Sequence, residues 1–179
     1  DAEFLGEAGL SIPAGESNRS VLEMLWARPT CEINGIIGGY TGDGFKTVIP
    51  AKASAKISFR LVSGMQPDKI RAAFRAHVEA MIPADCTVKF TAHGGSPAIT
   101  VPSDGTHLQQ ALGGLSAEWG KPAVMTGSGG SIPVAGDFKR ILGLDTLLIG
   151  FAQIDDAIHS PNEKYDLASF HRGIRSWVR

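Results

Sequence analysis

Residues 155–166 read Asp-Asp-Ala-Ile-His-Ser-Pro-Asn-Glu-Lys-Tyr-Asp and set His159 among three carboxylates, Asp155, Asp156 and Glu163. The three carboxylates are possible companions of the imidazole on a metal, although solvated loop carboxylates are commoner than ligands. Pro161 follows the histidine by two positions. Proline supplies no backbone donor and clashes inside a helix, so the stretch is expected to be a loop. Irregular, charged, His-bearing loops between regular elements are where scaffolds carry chemistry. A solvated turn with one surface histidine is the plainer alternative, and catalytic zinc needs about three protein ligands, so His159 does not define a site alone. His77, His107 and His171 fall within expected helices, and His93 at an expected boundary; none has metal-ligand spacing to another.

Two other groups carry chemical potential. Gly127-Ser128-Gly129-Gly130-Ser131 runs from an expected strand into an expected helix, where backbone N–H groups can converge on an anion or an oxyanion. It is no phosphate loop, because no Gly-Lys-Ser/Thr follows. It is no nucleophile elbow either, since Thr126 stands two before Ser128 and Pro133 two after Ser131. Arg60 lies on the polar side of an alternating stretch and can offer a guanidinium to a carboxylate. The plainer readings are a tight turn and an ordinary exposed sheet residue.

The elements that must hold these groups follow from periodicity. Residues 1–19 show none and read as a loop or leading arm. Val21, Leu22, Leu25 and Trp26 have helical spacing that stops at Pro29. From Thr30 to Ile37 a half-buried strand is expected, with Cys31, Ile33 and Ile37 on one side. Ala53, Ala55, Ile57, Phe59 and Leu61 alternate with polar residues and predict a second strand. Pro67 opens a helix with Ile70, Ala73, Phe74, Val78 and Met81 on one stripe, ended by Pro83. Residues 86–92 alternate again and predict a third strand. The order matches a ferredoxin-like split β-α-β unit lacking its first strand, so the chain is expected to be a piece of a longer protein or to borrow that pairing.

After residues 93–97 the pattern changes. A helix is expected to end near Gly120, a second near 132–142 and a third over Leu167–Val178. Short apolar strands are expected at 123–126 and 146–149; strands without alternation imply an α/β layer covered on both faces. The fold expectation is therefore an α+β lid domain over 1–96 and part of an α/β domain over 97–179.

Bulk properties bound the function. Hydrophobic residues make 43% and charged residues 20% of the chain, ordinary for a globular protein. A net charge of −1 gives no general attraction to nucleic acid or anionic membrane. No stretch approaches the roughly 20 apolar residues that span a bilayer. Cys31 and Cys86 fall in apolar runs and read as small core residues; without a disulfide framework a reducing, cytoplasmic setting is expected.

Four motifs occur in order: Lys46-Thr47-Val48-Ile49-Pro50, Ser58-Phe59-Arg60-Leu61-Val62, Gly129-Gly130-Ser131-Ile132-Pro133 and His159-Ser160-Pro161-Asn162-Glu163. From about Pro29 to Arg179 the chain resembles the carnosine-dipeptidase branch of the aminoacylase/carboxypeptidase family of dinuclear-zinc metallopeptidases. The resemblance implies a catalytic α/β domain holding two zinc ions and an inserted ferredoxin-like lid that forms a homodimer. This chain resembles the last part of each. It implies that His159 is the final zinc ligand. Thr47 and Arg60 would bind the substrate's carboxylate end across the dimer, and the backbone of Gly129, Gly130 and Ser131 would touch substrate. The family's other ligands and its general base lie in an N-terminal half with no counterpart here, and its lid histidine falls before the matched region. His77 and His93 stand in the wrong motifs to replace it. The expected activity is hydrolysis of a dipeptide or N-acyl amino acid by metal-activated water, with this chain inactive alone. Two rivals remain open: a non-enzymatic dimerisation module, and a small-ligand binder using the Gly127–Ser131 loop.

Overall fold

The structure, a computed structural model, describes residues 1–130 and 132–179. These form two compact units, one of 1–99 with 127–136 and one of 100–126 with 137–179.

In the first unit, α1 (Ala2–Glu7) and α2 (Val21–Ala27) precede a hairpin of β1 (Thr30–Gly38) and β2 (Ala53–Arg60), followed by α3 (Pro67–Met81). Helix α1 corrects the expectation of a structureless arm. Six residues are too few for periodicity to register; Leu5, which is buried, and the Asp1 carboxylate, which accepts from Val21 N at 3.2 Å, hold it. Helix α2 starts with a reciprocal cap: Ser20 Oγ accepts from Glu23 N, and Glu23 Oε2 accepts from Ser20 N. Pro67 sits in the first turn of α3, where its missing N–H costs nothing. Phe74 on α3 meets Phe59 edge-on at 5.2 Å and Phe90 at 6.4 Å.

The hairpin is antiparallel, with Cys31 opposite Phe59, Ile33 opposite Ile57 and Ile36 opposite Ala55. Between Ile33 and Gly35 the register slips, leaving Asn34 as an extra residue. Directly opposed residues share a face. Ile36 therefore joins Cys31 and Ile33 on the apolar face, and Ile37, opposite Ser54, turns to the polar one. The expected placement of Ile37 is overturned by this bulge, which alternation alone does not reveal.

Residues 86–92 form no ladder among the described residues, although Phe90 packs as above and His93 O accepts from Arg71 Nη2 at 2.9 Å. Alternation specifies a face, not a partner, and a strand exists only through its ladder. The expected strands at 123–126 and 146–149 are likewise absent from the described ladders. Ala123 N instead donates to Ser116 Oγ at 2.9 Å. The fold is thus α+β with a two-stranded sheet.

Helix α5 (Pro133–Asp137) falls almost wholly in the first unit; the second contains α4 (Thr106–Trp119), a π-helical turn (Phe138–Leu142), a 3-10 turn (Ile154–Asp156) and α6 (Leu167–Ser176). Gly120 ends α4 in the left-handed conformation, φ 66°, as a C-terminal glycine does. Helices α4 and α6 meet through Trp119 Nε1, which donates to Ser176 Oγ at 3.1 Å, and through Glu118, which accepts from Arg175 and Arg179 at 2.6 and 2.9 Å. Trp119 stacks on Phe151 at 5.9 Å.

Among the described residues, the buried apolar ones are Leu5, Val21 and Ala135. Ile33 and Ile36, on the sheet's apolar face, are 61% and 71% exposed. Cys31 and Cys86 are also exposed, which corrects their reading as core residues: the layer that would cover them is absent from the described residues. No described helix is long and apolar enough to cross a membrane.

Candidate functional site

Arg60 ends β2 opposite Thr30, and its Nη1 donates to the Gly129 carbonyl at 2.5 Å. Sheet and glycine loop, 69 residues apart in sequence, are brought together here within one unit. The loop is held on α2. A Cβ on Gly127 would lie 2.4 Å from Trp26 Cβ, and one on Gly129 would lie 2.9 Å from the Leu25 carbonyl, so only glycine fits at either position. Gly130 N donates to Ser128 Oγ at 3.2 Å. This turn uses one of the loop's N–H groups internally. Ser131 lies outside the described residues.

A group that the sequence reading passed over stands beside Arg60. Glu32, on the same sheet face and opposite Ser58, accepts hydrogen bonds from Thr30 Oγ1 and, at 3.4 Å, from Ser58 Oγ. It lies 3.9 Å from Arg60 Nε. The alternation of Thr30, Glu32 and Arg60 was a visible signal for this cluster. With five donors on the guanidinium, one engaged by Gly129 and one edge turned to Glu32, Arg60 keeps donors for an incoming carboxylate. Thr47 lies in the exposed connection between β1 and β2, at the centre of a tight turn in which Val48 N donates to Lys46 O at 2.9 Å.

His159 belongs to the other unit and is exposed. Its loop is wound tightly: Ala157, His159 and Asn162 have φ of 53°, 62° and 62°. Non-glycine residues there cost about 1–3 kcal/mol each and persist where surroundings over-determine them. His159 N donates to Glu163 Oε2 at 3.2 Å and Ser160 N to Ala157 O at 2.9 Å. Below the loop, Asp156 is buried; its Oδ2 accepts from Gln153 N at 2.7 Å and its Oδ1 from Lys164 Nζ at 3.3 Å. Lys164 also pairs with Asp155 at 2.9 Å. That ammonium holds the Asp155 carboxyl below its ordinary range, and the hydrogen bond to Asp155, with a second to Asp156, raises Lys164.

Asp155 and Asp156 are bound to Lys164, and Glu163 caps His159 N, so the three carboxylates do not gather with the imidazole. Among the described residues no group of three or more His, Cys, Asp or Glu side chains can hold a metal. The described residues do not make up a complete metal centre.

Residues 8–86 match the family model of the peptidase dimerisation domain. The Cys-Gly metallodipeptidase of Schizosaccharomyces pombe is 34% identical over 178 residues, an alignment covering 97% of this chain and 37% of that protein. The Beta-Ala-His dipeptidase of Rattus norvegicus is 29% identical over 163 residues, covering 89% of this chain and 33% of that protein. Among solved structures, an M20 family metallo-carboxypeptidase from Sulfolobus solfataricus superposes with a TM-score of 0.82 at 27% identity, over 97% of this chain and 40% of that one. The chain carries the peptidase dimerisation domain of the M20 metallopeptidases and is homologous to dipeptidases of that family. It spans about a third of the length of the curated relatives it matches.

Proposed function

We propose that this chain is the C-terminal portion of a dinuclear-zinc metallopeptidase that hydrolyses dipeptides or N-acyl amino acids. Residues 1–96 are read as the ferredoxin-like lid through which the protein forms a homodimer, and residues 97–179 as the end of the catalytic α/β domain. The observation that carries this reading is the bond between Arg60 and the Gly129 carbonyl, which joins two of the four motifs at one place. Relatives that act on dipeptides agree with it.

Within the reading, Arg60 anchors the substrate's terminal carboxylate, Thr47 adds a hydrogen bond, and the backbone of Gly129, Gly130 and Ser131 lies along the substrate. His159 supplies one zinc ligand; the remaining ligands and the general base come from the N-terminal half of the same protein. Zinc, when bound, would polarise the amide carbonyl and activate water. This chain alone is then inactive.

The test is a graft. This chain replaces the matching segment of the S. pombe metallodipeptidase, and folded chimera is assayed for metal-dependent hydrolysis of Cys-Gly. Activity lost in His159→Ala supports the proposal. A folded chimera that binds no metal and hydrolyses nothing overturns it, as does chelator-sensitive dipeptide hydrolysis by the 179-residue chain alone. Dimers with neither metal nor substrate response would leave the dimerisation module as the function.

A further inference from the structure

Asp156 is 1% exposed, the most deeply buried charged side chain among the described residues. A carboxylate is costly to bury and stays buried only where its bonds are needed. All its bonds go to the two ends of one loop. On the entering side, Oδ2 accepts from Gln153 N at 2.7 Å, and Asp156 N donates back to Gln153 O at 3.2 Å. On the leaving side, Oδ1 accepts from Lys164 Nζ at 3.3 Å and the Asp156 carbonyl from Lys164 N at 2.9 Å. Gln153 Nε2 then donates to Ser169 Oγ at 2.8 Å, fixing this neck to α6. Beyond the neck, bonds span at most four residues: His159 N to Glu163, Ser160 N to Ala157 O and Glu163 N to Ser160 O. Such local turns shape the loop but do not set its direction relative to the helices.

We propose that Asp156 and Lys164 form the positioning pair for His159, a clasp that closes the loop's neck and fixes the direction of its imidazole. This rests on the reading of His159 as a metal ligand. Neither residue touches substrate; both act through the histidine. A single ligand on an exposed loop, itself left-handed and flanked by left-handed Ala157 and Asn162, needs such a clasp to hold one orientation before metal arrives.

Amide hydrogen exchange of this chain, resolved by NMR, tests the clasp. In Asp156→Asn and Lys164→Met, exchange of the His159, Ser160 and Glu163 amides is expected to rise about tenfold while α4 and α6 amides stay unchanged. Lys164→Arg, which keeps the cation, is expected to restore most of the protection. Unchanged loop exchange in both variants, or an equal rise across α4 and α6, overturns the proposal. So does failure of Lys164→Arg to protect better than Lys164→Met. Zinc content of the folded chimera with the S. pombe metallodipeptidase separates the underlying reading: zinc retained in full after His159→Ala, alongside a loosened loop in Asp156→Asn, refutes the ligand role and leaves the clasp standing.

Discussion

The Arg60 guanidinium donates to the Gly129 carbonyl at 2.5 Å, joining the end of β2 to a glycine loop 69 residues away. The Arg60 side chain is 53% exposed, and exposed pairs of this kind add little to folding. Arg60→Met is therefore expected to leave the midpoint of urea unfolding nearly unchanged. In the proposed full-length metallopeptidase it should lower kcat/KM for a dipeptide by roughly 10- to 100-fold, the worth of a charge-assisted hydrogen bond of about 1.5–3 kcal/mol. A large stability loss with normal kinetics would assign Arg60 a structural role instead.

The glycine loop should respond differently. Gly127→Ala places a methyl group 2.4 Å from Trp26 Cβ, and neither α2 nor the loop can absorb it without moving. A destabilisation of about 1–3 kcal/mol is expected from urea unfolding. An unchanged midpoint would show that the loop does not sit against α2.

Glu118 bridges Arg175 and Arg179, and the hydrogen bond from Arg175 leads in holding its carboxyl below the ordinary value of 4.5. A lowered carboxyl contributes stability above its unfolded pKa and loses it as pH falls through the folded one. The α4–α6 contact is therefore expected to hold at neutral pH and to loosen below pH 4.5, with Trp119 fluorescence as the reporter. Glu118→Gln should flatten that acid transition. A transition of the same depth in the variant would locate the acid sensitivity elsewhere.

Both cysteines are exposed and free. In the 179-residue chain, two thiols are expected to react with Ellman's reagent without denaturant. Reaction of fewer than two would mean that a second copy covers the sheet face or the segment that follows α3.

How far the sequence reached depended on whether a feature was local. Pro67, Pro83 and Gly120 mark helix ends by their own backbone chemistry, and the structure ends α3 and α4 beside them. The alternation from Ala53 to Arg60 likewise gave β2 and, with it, the polar side on which Arg60 stands. Residues 86–92 alternate as regularly yet form no ladder among the described residues, because a period of two says nothing about a partner. Cys31 missed its expected burial for the same reason: its apolar face was legible, the layer covering that face was not.

The candidate site divides in the same way. Arg60, Gly129 and His159 were recognisable by residue type and motif, and the structure joins the first two. Glu32 was within reach of the alternation that revealed Arg60. Asp156 was seen as a possible companion of His159, but its burial and its bond to Lys164 depend on how the loop returns to α6, which spacing does not encode.

Asn34 has a mechanical consequence. Pairing resumes in step on either side of it, Ile33 with Ile57 and Gly35 with Lys56, so the ladder would remain complete without it. What the extra residue supplies is bend. The four residues of β1 beyond it, Gly35 to Gly38, form a rigid arm of about 13 Å, and each 10° added at the bulge swings its end by roughly 2 Å. The connection that carries Thr47 hangs from that end. Asn34 thus works as an elbow, and deleting it would redirect Thr47 without breaking a single rung of the sheet.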